Sequence, residues 1–169
     1  MDGGLIERAR AGDTDAFDEL ARARIDSVYR TALGILGSPA DARDATQETL
    51  VSMWRGLPSL RSPDAFDGWL HRITINASRM ALRRRGRVRE IALDPANEFA
   101  APASRDDRAF HRAFDRLSVD QRAVIIAHHL DGLSIAELAG RLRIPEGTVK
   151  SRLFNARAAL DKALKDQRL

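Results

Sequence analysis

The sequence contains no cysteine, which excludes disulfides and thiolate metal sites and fits a reducing compartment. Aromatic residues make up only 5% of it, which argues against a large aromatic-lined ligand cleft. No apolar run approaches the ~18 residues that a bilayer-spanning helix needs. Met1 is followed by an acidic residue and glycines, not by a charged and then an apolar stretch. No signal peptide is read there, and a soluble, cytoplasmic protein without membrane insertion is expected. Strand-like alternation is almost missing, and neither an internal repeat nor a low-complexity tract is found. His71, His111, His128 and His129 stand at no metal-ligand or triad spacing. The chain is therefore expected to hold no metal or cofactor and to carry no catalytic residue.

What is present points elsewhere. The 169 residues are 44% apolar, enough for at least one buried core and for one ordinary domain or two small ones. A net charge of +4 is modest, but a pI of about 10.3 suggests a polyanionic partner. Helical periodicity runs through the long segments between glycine and proline clusters, so the expected fold is all-α. Phe17, Leu20, Ile25, Val28, Leu33 and Leu36 form an apolar pattern closing at Gly37, and Ser38-Pro39 reads as an N-cap with proline at the first helical position. The next helix directs Ala42, Ala45, Thr49, Met53 and Trp54 inward and breaks at Gly56 to Pro58. A further helix from about Phe66 to Arg85 directs Phe66, Trp69, Leu70, Ile73, Ala77 and Met80 inward.

From about Gly86 to Asp107 the period fails, and two prolines and many small residues mark a flexible linker. Charge changes at the same place: residues 1–88 carry +2, 89–109 carry −2 and 110–169 carry +4. Two small helical domains are expected, over 1–87 and 109–169, joined by a linker over 88–108. In the second, Ser118 to Gln121 and Ser134 to Glu137 both have capping-box spacing and mark helix starts. A last helix begins near Pro145 to Thr148 and extends to about Lys165.

The segment from Ser134 to Leu160 thus reads as helix, short turn and helix. Ile135, Leu138, Ala139 and Leu142 face Val149, Leu153 and Phe154, leaving Glu146, Thr148, Lys150, Ser151, Arg152, Asn155 and Arg157 pointing outward. Lysine and arginine can neutralise phosphates, arginine can fork onto guanine, and asparagine can pair with adenine. A charged helix face is as often merely solvated; the two capped helix starts favour DNA. In the first domain, Asp44, Gln47, Glu48, Val51 and Arg55 share one exposed face. Arg72, Asn76, Arg79 and Arg83 recur at intervals of four, three and four, which places them in one positive stripe extended by Arg84, Arg85 and Arg87.

Residues 117–157, with their "DGLS", "IAELA" and "IPEGTVKSRL" motifs, resemble region 4 of the extracytoplasmic-function (group 4) sigma factors of the sigma-70 family. "DARDATQETLVSMW" and "LRSPDAFDGWLHRITINASRMALRRR" resemble sigma region 2. The likeness covers about Leu5 to Lys165, with both halves in the family's order. It implies an alternative sigma factor that takes core RNA polymerase to specific promoters. Asp41, Asp44, Gln47 and Glu48 would meet the β′ clamp helices, and the second domain the β flap. Leu60, Arg61, Ser62, Pro63, Asp64, Arg72, Asn76, Arg79 and Arg83 would hold the −10 element. Glu146, Gly147, Thr148, Lys150, Ser151, Arg152, Phe154, Asn155 and Arg157 would meet the −35 element. An anti-sigma factor acting in trans is also implied.

Departures from the family pattern are Arg43 for an acidic residue, Ala45-Thr46 for larger apolar ones, Ser62-Pro63 for a glycine-acidic pair, and Asn155 for a basic residue. Ser62-Pro63 bears on the −10 base preference, not on role, and Asn155 on base readout at the −35 element. The alternative reading is a stand-alone helix–turn–helix regulator of response-regulator type, which would need a ligand cavity or a self-complementary face within residues 1–90.

Overall fold

The computed structural model describes residues 3–92 and 112–165, and all regular structure within them is helical. Helix α1 (Gly3–Arg10) leads through a turn into α2 (Thr14–Leu36), whose start is capped by the Asp13 side chain accepting from the Ala16 N–H. Arg8 holds that cap from behind with an ion pair to Asp13 of 2.6 Å. Helix α2 closes at Gly37, which takes the left-handed conformation (φ 67°) and donates its N–H to Leu33. Ser38 then caps α3 (Pro39–Gly56), as the Ser-Pro pair suggests. Two short 3₁₀ turns, Leu57–Ser59 and Pro63–Ala65, connect to α4 (Phe66–Ala92).

These helices enclose a core in which Leu20, Met53, Leu57 and Phe66 are essentially inaccessible to solvent. On the buried faces of α3 and α4, Thr46, Thr49, Thr74 and Ser78 donate their hydroxyls to carbonyls one turn back, so these polar groups are satisfied without leaving the core. Four residues read as inward are surface residues instead: Ile25, Trp54, Met80 and Phe154. For Trp54 the helix shows why. It shares the outward side of α3 with Val51 and rests edge-on against Phe17 at 4.7 Å, so one ring face stays in solvent. Helix α4 also runs seven residues past its expected end at Arg85, through the expected domain boundary at 87. Most of the segment read as a linker lies outside the described residues.

In the C-terminal half, a helical turn at 112–115 precedes α5 (Val119–His129), α6 (Ile135–Leu142) and α7 (Glu146–Lys165). Both capping boxes form: Ser118 with Gln121, and Ser134 with Glu137. Val124, Leu133, Leu138, Val149 and Leu153 make a separate small core. His128 Nδ1 donates to the Leu133 carbonyl at 2.8 Å and so ties the turn after α5. Arg143 ends α6 in the left-handed conformation (φ 54°) and frees α7 to turn back across it.

The two halves do not stand apart. Ile35 and Ile75 from the first join Ala123 and Ile126 from the second in a shared apolar cluster. Arg122, 4% exposed, crosses this seam and donates to the Ile35 carbonyl at 2.7 Å. Glycine is needed at two points of contact. A Cβ on Gly34 would lie 2.7 Å from the Ile126 side chain, and one on Gly68 would lie 3.0 Å from the Arg141 backbone. The second neighbour is main chain and cannot rotate away. Gly68→Ala is therefore expected to weaken the docking by about 1–3 kcal/mol. Faster amide exchange in α6, with no change in α2 and α3, is the measurement that checks this.

Candidate nucleic-acid and partner interfaces

Three surfaces emerge from this frame. On α3, Asp44, Gln47 and Glu48 are exposed, and Val51 and Trp54 extend the same side with apolar area. Glu48 lies 3.7 Å from Arg84, a loose pair that leaves the carboxylate available. Asp41 differs from the other three. It is half-buried and accepts from Arg85 at 3.2 Å, so its role in the structure is to hold α4 against the start of α3. Sequence reading placed Val51 on this face but missed Trp54, although Val51 and Trp54 are three residues apart and so adjoin on a helix.

The second surface is the loop before α4 and one side of α4. Leu60 is 6% exposed and belongs to the core, so its side chain cannot reach a base. Arg61 and Asp64 are exposed, and Ser62 accepts from the Asp64 N–H in a small cap that starts with Pro63. On α4, Arg72, Asn76, Arg79 and Arg83 do form one stripe. Asn76 and Arg83 are open to solvent, and the Asn76 side-chain oxygen accepts from Arg79 at 2.8 Å. Arg72 and Arg79, however, are engaged by the other half. Arg72 donates to the Arg141 carbonyl at 3.1 Å, and Arg79 pairs with Asp120 at 2.7 Å. Burial, and then the nearby Arg143, lower the Arg72 guanidinium from its ordinary value.

The third surface is α7. Val149, Leu153, Ala156 and Ala163 form its buried stripe. Glu146, Gly147, Lys150, Ser151, Asn155 and Arg157 are exposed around it, with Thr148 and Arg152 half-buried. Phe154 joins the exposed group at 72%, so it cannot be one of the residues packing α7 to α6. Ser151 donates to the Thr148 carbonyl, and Arg157 donates to His129 Nε2 at 3.1 Å. Arginine has no acceptor, so that ring nitrogen is the unprotonated one. Desolvation first, and then the Arg157 charge, disfavour the imidazolium at His129.

Sequence reading missed the residues of the seam: His71, Asp120, Arg122 and Arg141. Arg122 left one trace, a charge three residues after Val119 and four before Ile126, in the middle of an apolar face. No described helix is long and apolar enough to cross a membrane.

Residues 20–88 match the family model "Sigma-70 region 2", and residues 107–160 match "Sigma-70, region 4". The chain is 37% identical to the ECF RNA polymerase sigma factor SigE of Mycolicibacterium smegmatis over 155 residues, 86% of this chain and 60% of that protein. It is 38% identical to the ECF RNA polymerase sigma factor SigM of Mycobacterium tuberculosis H37Rv over 165 residues, 96% of this chain and 84% of that protein. Among solved structures, the sigma factor RpoE of Bartonella quintana, in complex with the anti-sigma factor NepR, superposes with a TM-score of 0.68 at 27% identity. That match covers 88% of this chain and 96% of RpoE. With both regions present in order and SigM matched over most of both chains, this chain belongs to the ECF RNA polymerase sigma factors of the sigma-70 family.

Proposed function

We propose that this chain is an alternative sigma factor that binds core RNA polymerase and directs it to a specific set of promoters. The observation that carries this reading is the presence of regions 2 and 4, in order, in one chain. A stand-alone helix–turn–helix regulator would have no use for the first of them. In this reading Asp44, Gln47 and Glu48, with the exposed Val51 and Trp54 beside them, form the surface for the β′ clamp helices. Asp41 supports that surface from within. The β flap is the second contact on polymerase.

Lys150, Ser151 and Arg152 at the start of α7 meet the −35 element, and Phe154 and Asn155 set base preference there. An exposed phenyl ring among cationic side chains suits the methyl group of thymine. Arg61, Asn76 and Arg83 meet the −10 element directly. Arg72 and Arg79 do so only after the C-terminal half moves off α4. Two modest sites on one tether then reinforce each other through effective concentration. The protein works in the cytoplasm, as an initiation factor without catalytic residues of its own, and an anti-sigma factor in trans holds it inactive.

Reconstituted transcription with core polymerase and a library of genomic fragments tests the reading. Discrete start sites that depend on the protein are expected, and their complete lack would refute it. Asp44→Ala with Glu48→Ala should lower polymerase affinity by about tenfold or more, since each removes an exposed charge from an interface. Helical content should stay unchanged. Equal affinity would move the polymerase surface elsewhere.

A further inference from the structure

A cavity of about 220 Å³ lies in the seam between the two halves. Helix α2 lines it with Arg24, Ser27 and Thr31, α4 with Asp67 and His71, and α6 with Arg141. Both halves of the protein therefore contribute to its wall. His71 is 8% exposed, and its Nε2 has no hydrogen-bond partner among the described residues. A buried polar nitrogen left in this state is unfavourable, and His71 is one of the residues that line the cavity.

The electrostatics select the ligand. Arg24 and Arg141 bring two guanidinium charges to the wall, and Asp67 brings one carboxylate, 3.4 Å from Arg24. Arg141 makes no ion pair within 4 Å among the described residues; the Asp131 and Glu137 carboxylates feel its charge from farther off and do not line the cavity. A cation would be repelled by the net positive charge, and an apolar group would strand the hydroxyls of Ser27 and Thr31. An oxyanion satisfies Arg141 and reaches the hydroxyls, and a small rotation of the His71 ring would bring its Nε2–H into the same space. At roughly 30 Å³ per water molecule the space holds a phosphate or a short carboxylate.

We propose that this cavity is a binding site for a small oxyanion, a phosphate or carboxylate, which clasps the C-terminal half onto the N-terminal half. Because α6 supplies Arg141, the complete site exists only in the docked arrangement. A bound anion therefore raises the docked population by mass action. Docking is also what engages Arg72 and Arg79, so the anion opposes use of the α4 stripe. That consequence rests on the proposed role of the stripe; the binding itself does not.

Two measurements on the full chain test the proposal. In the first, the His71 ring is followed by NMR during titration with sodium phosphate and, separately, sodium succinate, with sodium chloride at matched ionic strength as reference. A saturable shift is expected with at least one of the two, half-maximal in the low-millimolar range or tighter. The tighter of the two assigns the ligand as phosphoryl or carboxylate. Arg141→Gln, at a half-exposed position, should raise the half-saturating concentration about tenfold or more. A response no greater than that to chloride, or one indifferent to Arg141→Gln, means an adventitious ion only and overturns the site.

In the second, the lack of native cysteine allows dyes at Arg43→Cys and Lys162→Cys, on exposed positions of α3 and α7. Energy transfer should move toward the docked value with the same half-saturation as the NMR shift. Binding without that movement overturns the clasp. Neither readout requires polymerase or promoter DNA, so the outcome is independent of the proposed transcriptional role.

Discussion

Arg122→Ala is expected to lower the stability of the chain by about 3–5 kcal/mol, the range for removing one partner of a buried charged network. The guanidinium is 4% exposed and its three nitrogens are all used. Nε donates to the Leu117 carbonyl at 3.1 Å, Nη1 to Ile35 at 2.7 Å and Nη2 to Asp115 at 2.6 Å. Its planar face lies over Phe114, 5.7 Å from the ring centre. Burial lowers the guanidinium from its ordinary value while the Asp115 carboxylate opposes this, and it stays charged. Truncation leaves buried carbonyls without donors and a hole between the halves. Lysine lacks the fork, so Arg122→Lys should recover only part of the loss. Urea unfolding of the three proteins measures it; an Arg122→Ala midpoint near that of the parent would refute the network.

Acid is the second large effect, and it acts through His71. Burial first, and the Arg141 charge second, hold this imidazole down from an ordinary 6.5 to about 4 in the folded chain. Between those values the unfolded chain binds more protons than the folded one, so stability rises with pH across the window. The contribution is complete above about pH 6.5 and is lost as the pH falls toward 4. In chloride buffer, moving from pH 7 to about pH 4.5 should therefore cost the parent about 2–3 kcal/mol more than His71→Gln, which does not titrate. Denaturant midpoints at several pH values give the difference directly. Parallel pH profiles for the two proteins would place His71 in solvent.

The all-α class, the element order and both capped helix starts of the second half were legible from local patterns. Ser118 with Gln121 and Ser134 with Glu137 needed only their spacing, because a capping box is closed within one turn. Where a face was judged by periodicity alone, the outcome depended on what lay opposite. Phe154 has an apolar ring left largely open and Trp54 is covered on one side only, by Phe17 of α2, and nothing local reports either. Leu60 failed in the opposite direction, since a residue placed in a loop by its neighbours can still fold back into a core. The seam was beyond reach for a different reason. Arg122 and Ile35 are 87 residues apart, and Gly68 meets the backbone of Arg141. Such pairings follow from the path of the whole chain, not from any window of it.

One consequence of the Arg79–Asp120 pair concerns ionic strength. Salt weakens an exposed ion pair and weakens the hold of a cationic side chain on a phosphate by the same screening. In the proposed −10 role of Arg79, a nucleic-acid strand would displace Asp120; the contact broken and the contact made then respond to salt in the same direction, and the two responses partly cancel. Strand binding that starts from the docked chain is thus less sensitive to salt than binding that starts from separated halves. The steepness of that salt dependence then reads out how much of the protein is closed.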